Sequence, residues 1–427
     1  MRSLKVLILE DNSFQLMALH QMLNANQVFD VLTADSVDAA QRSLSNRGAV
    51  DIAICDLQMD GPDGLSLIRH LAETGQAGAV IILSNAEQSV LEGVGQLVRQ
   101  QGIAVLGCLQ KPASVVTLGE LLDRWQPQTE DVVEPSAAAP AVESFSQDEL
   151  HQREAGQSVG ESRRYDQWIA HFQPKVSLVG ELMGVELLAR WQHPTRGLLA
   201  AGQFIPQLEK AGLMDALTWR MLELGLTLST ERLHSTGQAL PVAVNVPPAM
   251  LDQATFVPKL LALLEQFPVC PQMLTLEVVE QSARQMGVVQ FENLLRLRMA
   301  GCRLSIDDFG TGASNIQRLL EMPFNELKIP AEFVRGMADD RRKSAVVAGA
   351  MYIAQKMALD VVIEGMETAD DFDALLQLGK PVIQGYFIAK PMGEADLRLW
   401  IEAYRRQPPL RTPMQVSSQA VFLEVNE

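Results

Sequence analysis

Arg303-Leu-Ser-Ile-Asp-Asp-Phe-Gly-Thr-Gly312 ends an apolar, strand-like run in two adjacent carboxylates and a glycine-bracketed turn. Neighbouring carboxylates repel, so Asp307 and Asp308 must raise each other's pKa, turn into solvent, or share a positive charge. A divalent cation removes the penalty. An Asp pair capping a helix from a surface turn is the plainer reading of this segment taken alone. The rest of the chain weighs against it, because acidic or amide residues end several other apolar runs.

Those runs fill residues 165–404. Met183–Leu188 carries Glu186, Val242–Val246 carries Asn245, and Leu274–Val279 carries Glu277 with Glu280 just beyond. Leu327-Lys328-Ile329, Val361–Ile363 before Glu364 and Glu367, and Val382-Ile383 before Gln384 complete the series. Amphipathic stretches lie between, such as Val347, Ala350, Met351, Ala354 and Met357 at helical spacing, a stripe that reads as core. Strand and helix alternating over this length predict a (β/α)8-type barrel, whose site lies at the carboxyl ends of its strands. Glu186, Asn245, Glu277 and Asp307 there offer four oxygen ligands suited to Mg2+ or Mn2+, and Asp308 helps hold a second ion bridged by Asp307. Two such ions stabilise the attacking and leaving oxygens of an in-line displacement at phosphorus. Plainer readings stand beside each residue: Glu186 pairing with Arg190 at i, i+4 on a helix, Lys328 as a snorkelling barrel lysine, and Asn245 as a turn residue before Val246-Pro247.

Several short motifs fall in this region: Gln173-Pro174-Lys175, Glu186-Leu187-Leu188, Val244-Asn245-Val246, Leu276-Glu277-Val278-Val279-Glu280 and Asp307-Asp308-Phe309-Gly310-Thr311-Gly312. Leu327-Lys328-Ile329, Glu364-Gly365-Met366-Glu367 and Gln384-Gly385-Tyr386 follow. Together they resemble the EAL-domain family of cyclic di-GMP phosphodiesterases across essentially all of 165–404. The resemblance implies that Glu186, Asn245, Glu277 and Asp307 bind a first metal, and Asp307 with Asp308 a second. It implies attack of an activated water on one phosphodiester bond of cyclic di-GMP, opening the ring to linear pGpG. Lys328 then positions or helps deprotonate that water, and Glu364 is the general base or water-positioning carboxylate. Glu367 supports the catalytic set, and Glu280 anchors the loop after Asp308, which resembles the family's dimerisation and regulatory loop. Arg190, Gln173 and Gln384 are the implied substrate-binding residues, and a homodimer or higher homo-oligomer is implied. The triplet reads Glu-Leu-Leu rather than Glu-Ala-Leu, and Pro247, Val279, Ala313 and Pro330 also depart from the family pattern. None of these removes a proposed metal ligand. A non-catalytic cyclic di-GMP receptor signalling through protein contacts is the alternative, and a hydrolase of another phosphodiester a third, since fold does not dictate substrate.

Residues 1–124 read as a separate α/β domain. Apolar runs at Val6–Leu9, Phe29–Ala34, Ile52–Cys55, Val80–Leu83 and Ala104–Leu106 alternate with helical periods, the pattern of a doubly wound, flavodoxin-like parallel sheet. Polar residues stand at the strand ends: Glu10 and Asp11, Asp56, Ser84, and Lys111 before Pro112. Three converging carboxylates can hold Mg2+ and leave one as nucleophile, while a hydroxyl and an ammonium grip an incoming phosphoryl group. The domain resembles a response-regulator receiver with Asp56 as phosphoacceptor, which implies a cognate sensor histidine kinase. Cys108 stands where the family usually has an aromatic switch residue.

Between the two, residues 125–164 lose periodicity and are rich in Pro, Ala and acid, which predicts a tether with a short helix near Asp148–Glu154. Residues 405–427 read as a tail. At 427 residues with 47% apolar content, two domains are the default for the chain. A net charge of −17 argues against nucleic acid polymers, whose binding needs a basic surface. No segment reaches the apolar length of a membrane span and the N-terminus reads as a buried strand, so no membrane insertion and a cytoplasmic location are expected. Cys55, Cys108, Cys270 and Cys302 lack zinc-site spacing and are expected to be buried free thiols.

Overall fold

The computed structural model describes residues 4–59, 63–125, 166–280, 287–311 and 316–406. The expected tether with its short helix, the tail beyond residue 406, and Ala313 lie outside the described residues. The chain divides into two compact units.

In the first unit, β1 (Lys5–Leu9), β2 (Asp30–Ala34), β3 (Val50–Asp56), β4 (Ala77–Ser84) and β5 (Ala104–Gln110) form a parallel sheet in the order β2-β1-β3-β4-β5. Val6, Leu7, Ile8 and Leu9 are all buried, because helices cover both faces of the sheet. Helices start where the sequence supplies caps: the Asn12 side chain accepts from the Phe14 and Gln15 amides, and Ser36, Asp63 and Ser114 cap the second, third and fifth helices. Strand order reverses between β1 and β3, which opens a crevice at their carboxyl ends. Leu9 stands opposite Cys55 in register, so Glu10 and Asp56 emerge side by side into that crevice.

The second unit is a closed barrel. Its strands are β6 (Trp168–Ser177), β7 (Leu182–His193), β8 (Gly197–Ala200), β9 (Val242–Asn245), β10 (Leu274–Val279), β11 (Arg303–Asp307), β12 (Glu326–Ile329), β13 (Asp360–Ile363) and β14 (Val382–Ile383). They follow the order β6-β14-β13-β12-β11-β10-β9-β7-β8, and a β6–β7 pairing closes the ring. From β9 to β14 neighbours run parallel, whereas β6 is antiparallel to both β7 and β14. The barrel thus departs from a regular (β/α)8: β6 and β7 are joined by a tight turn, and so short a connection makes a hairpin rather than a parallel crossover. The helix Arg341–Lys356 buries Val347, Ala350, Met351 and Ala354, the stripe expected as core.

Two plainer readings fail here, and one expectation holds in part. Glu186 and Arg190 lie on strand β7, where four residues span about 13 Å, so they form no i, i+4 helical pair. Asn245 is the last residue of β9 rather than a turn residue. Of the four free cysteines, Cys55 and Cys302 are buried as expected, but Cys108 is half-buried and Cys270 is exposed, because it sits in the connection before Pro271 and not in β10. Among the described residues, no helix is long and apolar enough to cross a membrane.

Candidate active site

Six neighbouring strands of the barrel each deliver one polar group to a common centre. Glu186 comes from β7, Asn245 from β9, Glu277 from β10, Asp307 from β11 and Lys328 from β12, with Glu364 just past β13. They meet around one ammonium: Lys328 Nζ lies 2.7 Å from Glu364 Oε1, 3.0 Å from Glu277 Oε2, 3.1 Å from Asp307 Oδ1 and 3.4 Å from Glu186 Oε2. Its side chain is 1% exposed, so it is no snorkelling lysine. Asn245 Nδ2 donates to Glu186 Oε1 (3.1 Å) and approaches Glu277 Oε2 at 3.4 Å. Gln384 Nε2 donates to Glu186 Oε2 (2.6 Å) and Gln173 Oε1 (3.1 Å), and Gln173 in turn donates to the Ala389 carbonyl.

Negative charge is in excess at this place. Glu186, Glu277, Asp307, Asp308 and Glu364 face two ammonium groups, Lys328 and Lys175, and Lys175 is shared with Glu326. The strain appears in the ionisation of the carboxyls. Burial, and then the charge of Glu277, push Glu186 up to about 8. Burial also opposes charge on Glu277, but Lys175 and Lys328 outweigh it and hold this carboxyl down at about 2. Glu364 is raised by burial, which Lys328 only partly offsets, and Asp308 is raised by burial and then by Asp307. Lys328 itself is held well above the usual lysine range despite burial, through Glu186, Glu277, Glu364 and Asp307. Hard oxygen donors with unbalanced negative charge are the donor set of a divalent cation such as Mg2+ or Mn2+. Asp307, Asp308 and Glu364 each bring a carboxylate oxygen within 4.8 Å of the other two, so the residues fit such an ion.

The backbone around the site is shaped to suit. Asp308 adopts φ 57°, a left-handed conformation uncommon outside glycine and asparagine, which turns the chain sharply after Asp307. Glu280 is buried and accepts from the Gly310 amide at 2.8 Å, tying the loop after Asp308 to the end of β10. Between Glu364 and Glu367, Gly365 has φ 64°, and a Cβ there would collide with the side chain of Ala331. Glu367 does not join the cluster: it is exposed and pairs with Arg335 at 2.8 Å. Arg190 is half-buried further along β7, its Nη1 donating to the Ala189 carbonyl.

Two partners were not foreseen as site residues. Lys175 of β6 is buried and bonds Glu277 Oε1 at 2.8 Å, with Glu326 at 3.7 Å on its other side. The signal for both was charge inside otherwise apolar strands, which is rare unless the charge is paired.

The first unit holds a second cluster. Lys111 Nζ lies 2.8 Å from both Glu10 Oε2 and Asp56 Oδ2, and Glu10, Asp11 and Asp56 bring carboxylate oxygens within 4.8 Å of one another. Glu10 and Asp56 are buried while Asp11 is exposed. Glu10 is raised by burial and then by Asp56, with Lys111 partly offsetting both. The Ser84 hydroxyl accepts from the Ala86 amide at 3.1 Å, and its carbonyl accepts from the Lys111 amide. At Gly64 a Cβ would collide with the Asp56 carbonyl, so the backbone there can approach Asp56 only with glycine. Cys108 donates its thiol to the Leu91 carbonyl at 3.3 Å. The three acids, the hydroxyl and the lysine expected from sequence thus stand around one crevice.

Comparison with known proteins agrees with both halves. The EAL domain matches residues 156–391 and the response regulator receiver domain matches residues 6–123. The chain is 34% identical over 401 residues to the cyclic di-GMP phosphodiesterase RocR of Pseudomonas aeruginosa, covering 92% of this chain and 97% of RocR. It is 37% identical to the cyclic di-GMP phosphodiesterase NbdA of the same organism, over 58% of this chain and 32% of NbdA. Among solved structures, the PaMucR phosphodiesterase in complex with c-di-GMP superposes with a TM-score of 0.52 at 33% identity, covering 54% of this chain and 94% of that one.

Proposed function

The chain belongs to the EAL-domain family and joins to it a response regulator receiver domain; on that premise we propose that it is a phosphodiesterase that hydrolyses cyclic di-GMP to linear pGpG under receiver control. The observation that carries the proposal is the convergence of Glu186, Glu277, Asp307 and Glu364 on Lys328, with Asn245 beside them, at one end of a closed barrel.

In this reading Glu186, Asn245, Glu277 and Asp307 hold a first Mg2+ or Mn2+, and Asp307 with Asp308 a second. Bound cations of this kind activate water and offset charge developing at phosphorus. Glu364, its carboxyl raised above the ordinary carboxylate value by burial, accepts the proton of the attacking water. Lys328 stays an ammonium, since four carboxylates raise its pKa, so it orients and stabilises rather than takes a proton. Arg190 receives a substrate phosphate as a bidentate donor. Gln384 donates to the Glu186 carboxylate and to Gln173, and the two amides are the further substrate-binding residues in this reading. Glu280 holds the loop after Asp308, and Glu367 with Arg335 holds the one after Glu364.

Residues 1–124 form the controlling unit, 125–164 the tether and 165–404 the catalytic unit. A sensor histidine kinase supplies the phosphoryl group to Asp56, with Mg2+ held by Glu10, Asp11 and Asp56, and with Ser84 and Lys111 gripping the phosphoryl oxygens. The working species is a homodimer or higher homo-oligomer. The test is to incubate the purified protein with cyclic di-GMP and Mg2+ or Mn2+ and to follow pGpG by chromatography, with Glu186→Ala beside it. Metal-dependent pGpG that disappears in the variant is the expected result. Tight binding of intact nucleotide with no turnover would replace the enzyme with a receptor.

A further inference from the structure

The barrel has a second concave site at its other end. The β6–β7 turn, the segment leading into β9 and the helix Glu394–Arg406 enclose a cavity of about 350 Å3, within the size range of small-molecule sites. Pro241, on its wall, precedes Asn245 by four strand residues, so the cavity lies about 13 Å from the candidate active site and at the amino ends of the same strands.

Three features of the wall stay unexplained by the fold. Trp400 and Tyr404 stack at 4.4 Å between ring centroids and 22° between planes, giving the cavity a flat aromatic side. The Tyr404 hydroxyl is buried without a hydrogen-bond partner among the described residues. Arg232 and Arg405 also face the cavity, and neither has a carboxylate partner among the described residues, whereas their neighbour Arg398 is held by Glu231 and Glu394. Burial, and then repulsion from Arg405 and Arg398, lowers the pKa of Arg232. Two uncompensated guanidinium groups side by side are out of keeping with a chain of net charge −17. An anion relieves their repulsion, and a planar ring completes the aromatic wall. Glu181, on the same wall, disfavours a ligand that is only an anion and can accept from the amino group of a base.

We propose that this cavity is a mononucleotide-binding site, with the phosphate at Arg232 and Arg405 and the base against Trp400. The site is distinct from the carboxylate cluster, and its ligand is recognised without a metal.

The test is titration of the full-length protein with AMP while tryptophan fluorescence is followed, beside W400F, R232Q, R405Q and R190Q. Saturable quenching is expected in the wild type and is lost in W400F. Half-saturation rises about tenfold or more in R232Q and R405Q, stays put in R190Q, and is far weaker for adenosine than for AMP. Arg405 is exposed, so R405Q retains the fold even if R232Q does not. Quenching that persists in W400F, a half-saturation indifferent to R405Q or shifted by R190Q, or adenosine binding as well as AMP would each overturn the proposal.

Discussion

Lys111 and Lys328 do the same thing in two settings. Each closes a set of carboxylates at the carboxyl ends of parallel strands, but Lys111 sits in the open crevice of a sheet and Lys328 inside a closed barrel. Lys111 is 11% exposed and meets two carboxylates, with the third acid of its set, Asp11, in solvent. Lys328 is 1% exposed and meets four. The receiver lysine balances two buried carboxylates, whereas in the barrel more carboxylates crowd one lysine, and Glu186 and Glu277 are driven to opposite sides of the usual carboxylate range. Closing the sheet therefore turns a familiar strand-end pattern into a strong demand for cations.

The contrast breaks first at Glu277. Glu277→Ala strips Lys175 and Lys328 of a shared partner in a dry interior, and a loss of about 3–5 kcal/mol is expected, read as a fall in thermal midpoint together with loss of pGpG formation. Glu10→Ala in the receiver leaves Lys111 its bond to Asp56 and is expected to lose about 1–3 kcal/mol. Equal losses at the two positions would erase the distinction between open and closed clusters. Next in size, Lys328→Met is expected to lower turnover about 10²–10³-fold with the fold retained. A pH profile should show no limb assignable to a lysine base.

A finer probe is Lys175→Met. Lys175 touches one oxygen of Glu277 and leaves the other turned toward Lys328 and Asn245, so its loss should raise the Mn2+ concentration for half-maximal turnover about tenfold or more. Direct Mn2+ binding measured by electron paramagnetic resonance should shift in parallel. An unchanged affinity would leave Lys175 a structural counter-charge only. The smallest effect concerns Asp371, which is buried at the start of the helix Ala369–Leu376 and accepts from the Gly336 and Ala338 amides and the Thr368 hydroxyl. Burial alone would raise this carboxyl, but those hydrogen bonds hold it below its ordinary value. Its contribution is therefore present above the unfolded pKa and is lost as pH falls through the folded one. Asp371→Asn should lose about 1–2 kcal/mol at neutral pH and converge on the wild type in acid, as followed by urea denaturation at several pH values.

Much of this was legible in the sequence because strand-end residues announce themselves. An acid or amide that ends an apolar run has few places to go except the mouth of a sheet, and Asp56, Asn245 and Asp307 are each the last residue of a strand. Residues inside the strands were harder to read. Lys175 and Glu326 look like interruptions of apolar runs until the barrel closes and brings Lys175 within reach of both Glu277 and Glu326. The antiparallel direction of β6 turns on one tight connection, which hydrophobic periodicity does not register. Cys270 misled because a thiol beside an apolar run is buried only if the run reaches it, and β10 begins four residues later. Glu367 follows the same strand as Glu364, yet the left-handed Gly365 turns it outward to Arg335.

The most direct measurement is the number of Mn2+ ions bound per chain, counted by electron paramagnetic resonance in the wild type, in Asp11→Asn and in Asp307→Asn. Three ions are predicted for the wild type, two in the barrel and one in the receiver, with Asp11→Asn losing one and Asp307→Asn losing those of the barrel. A single ion that Asp11→Asn abolishes would mean that Lys328 and Lys175 already satisfy the barrel carboxylates, and would contradict the account.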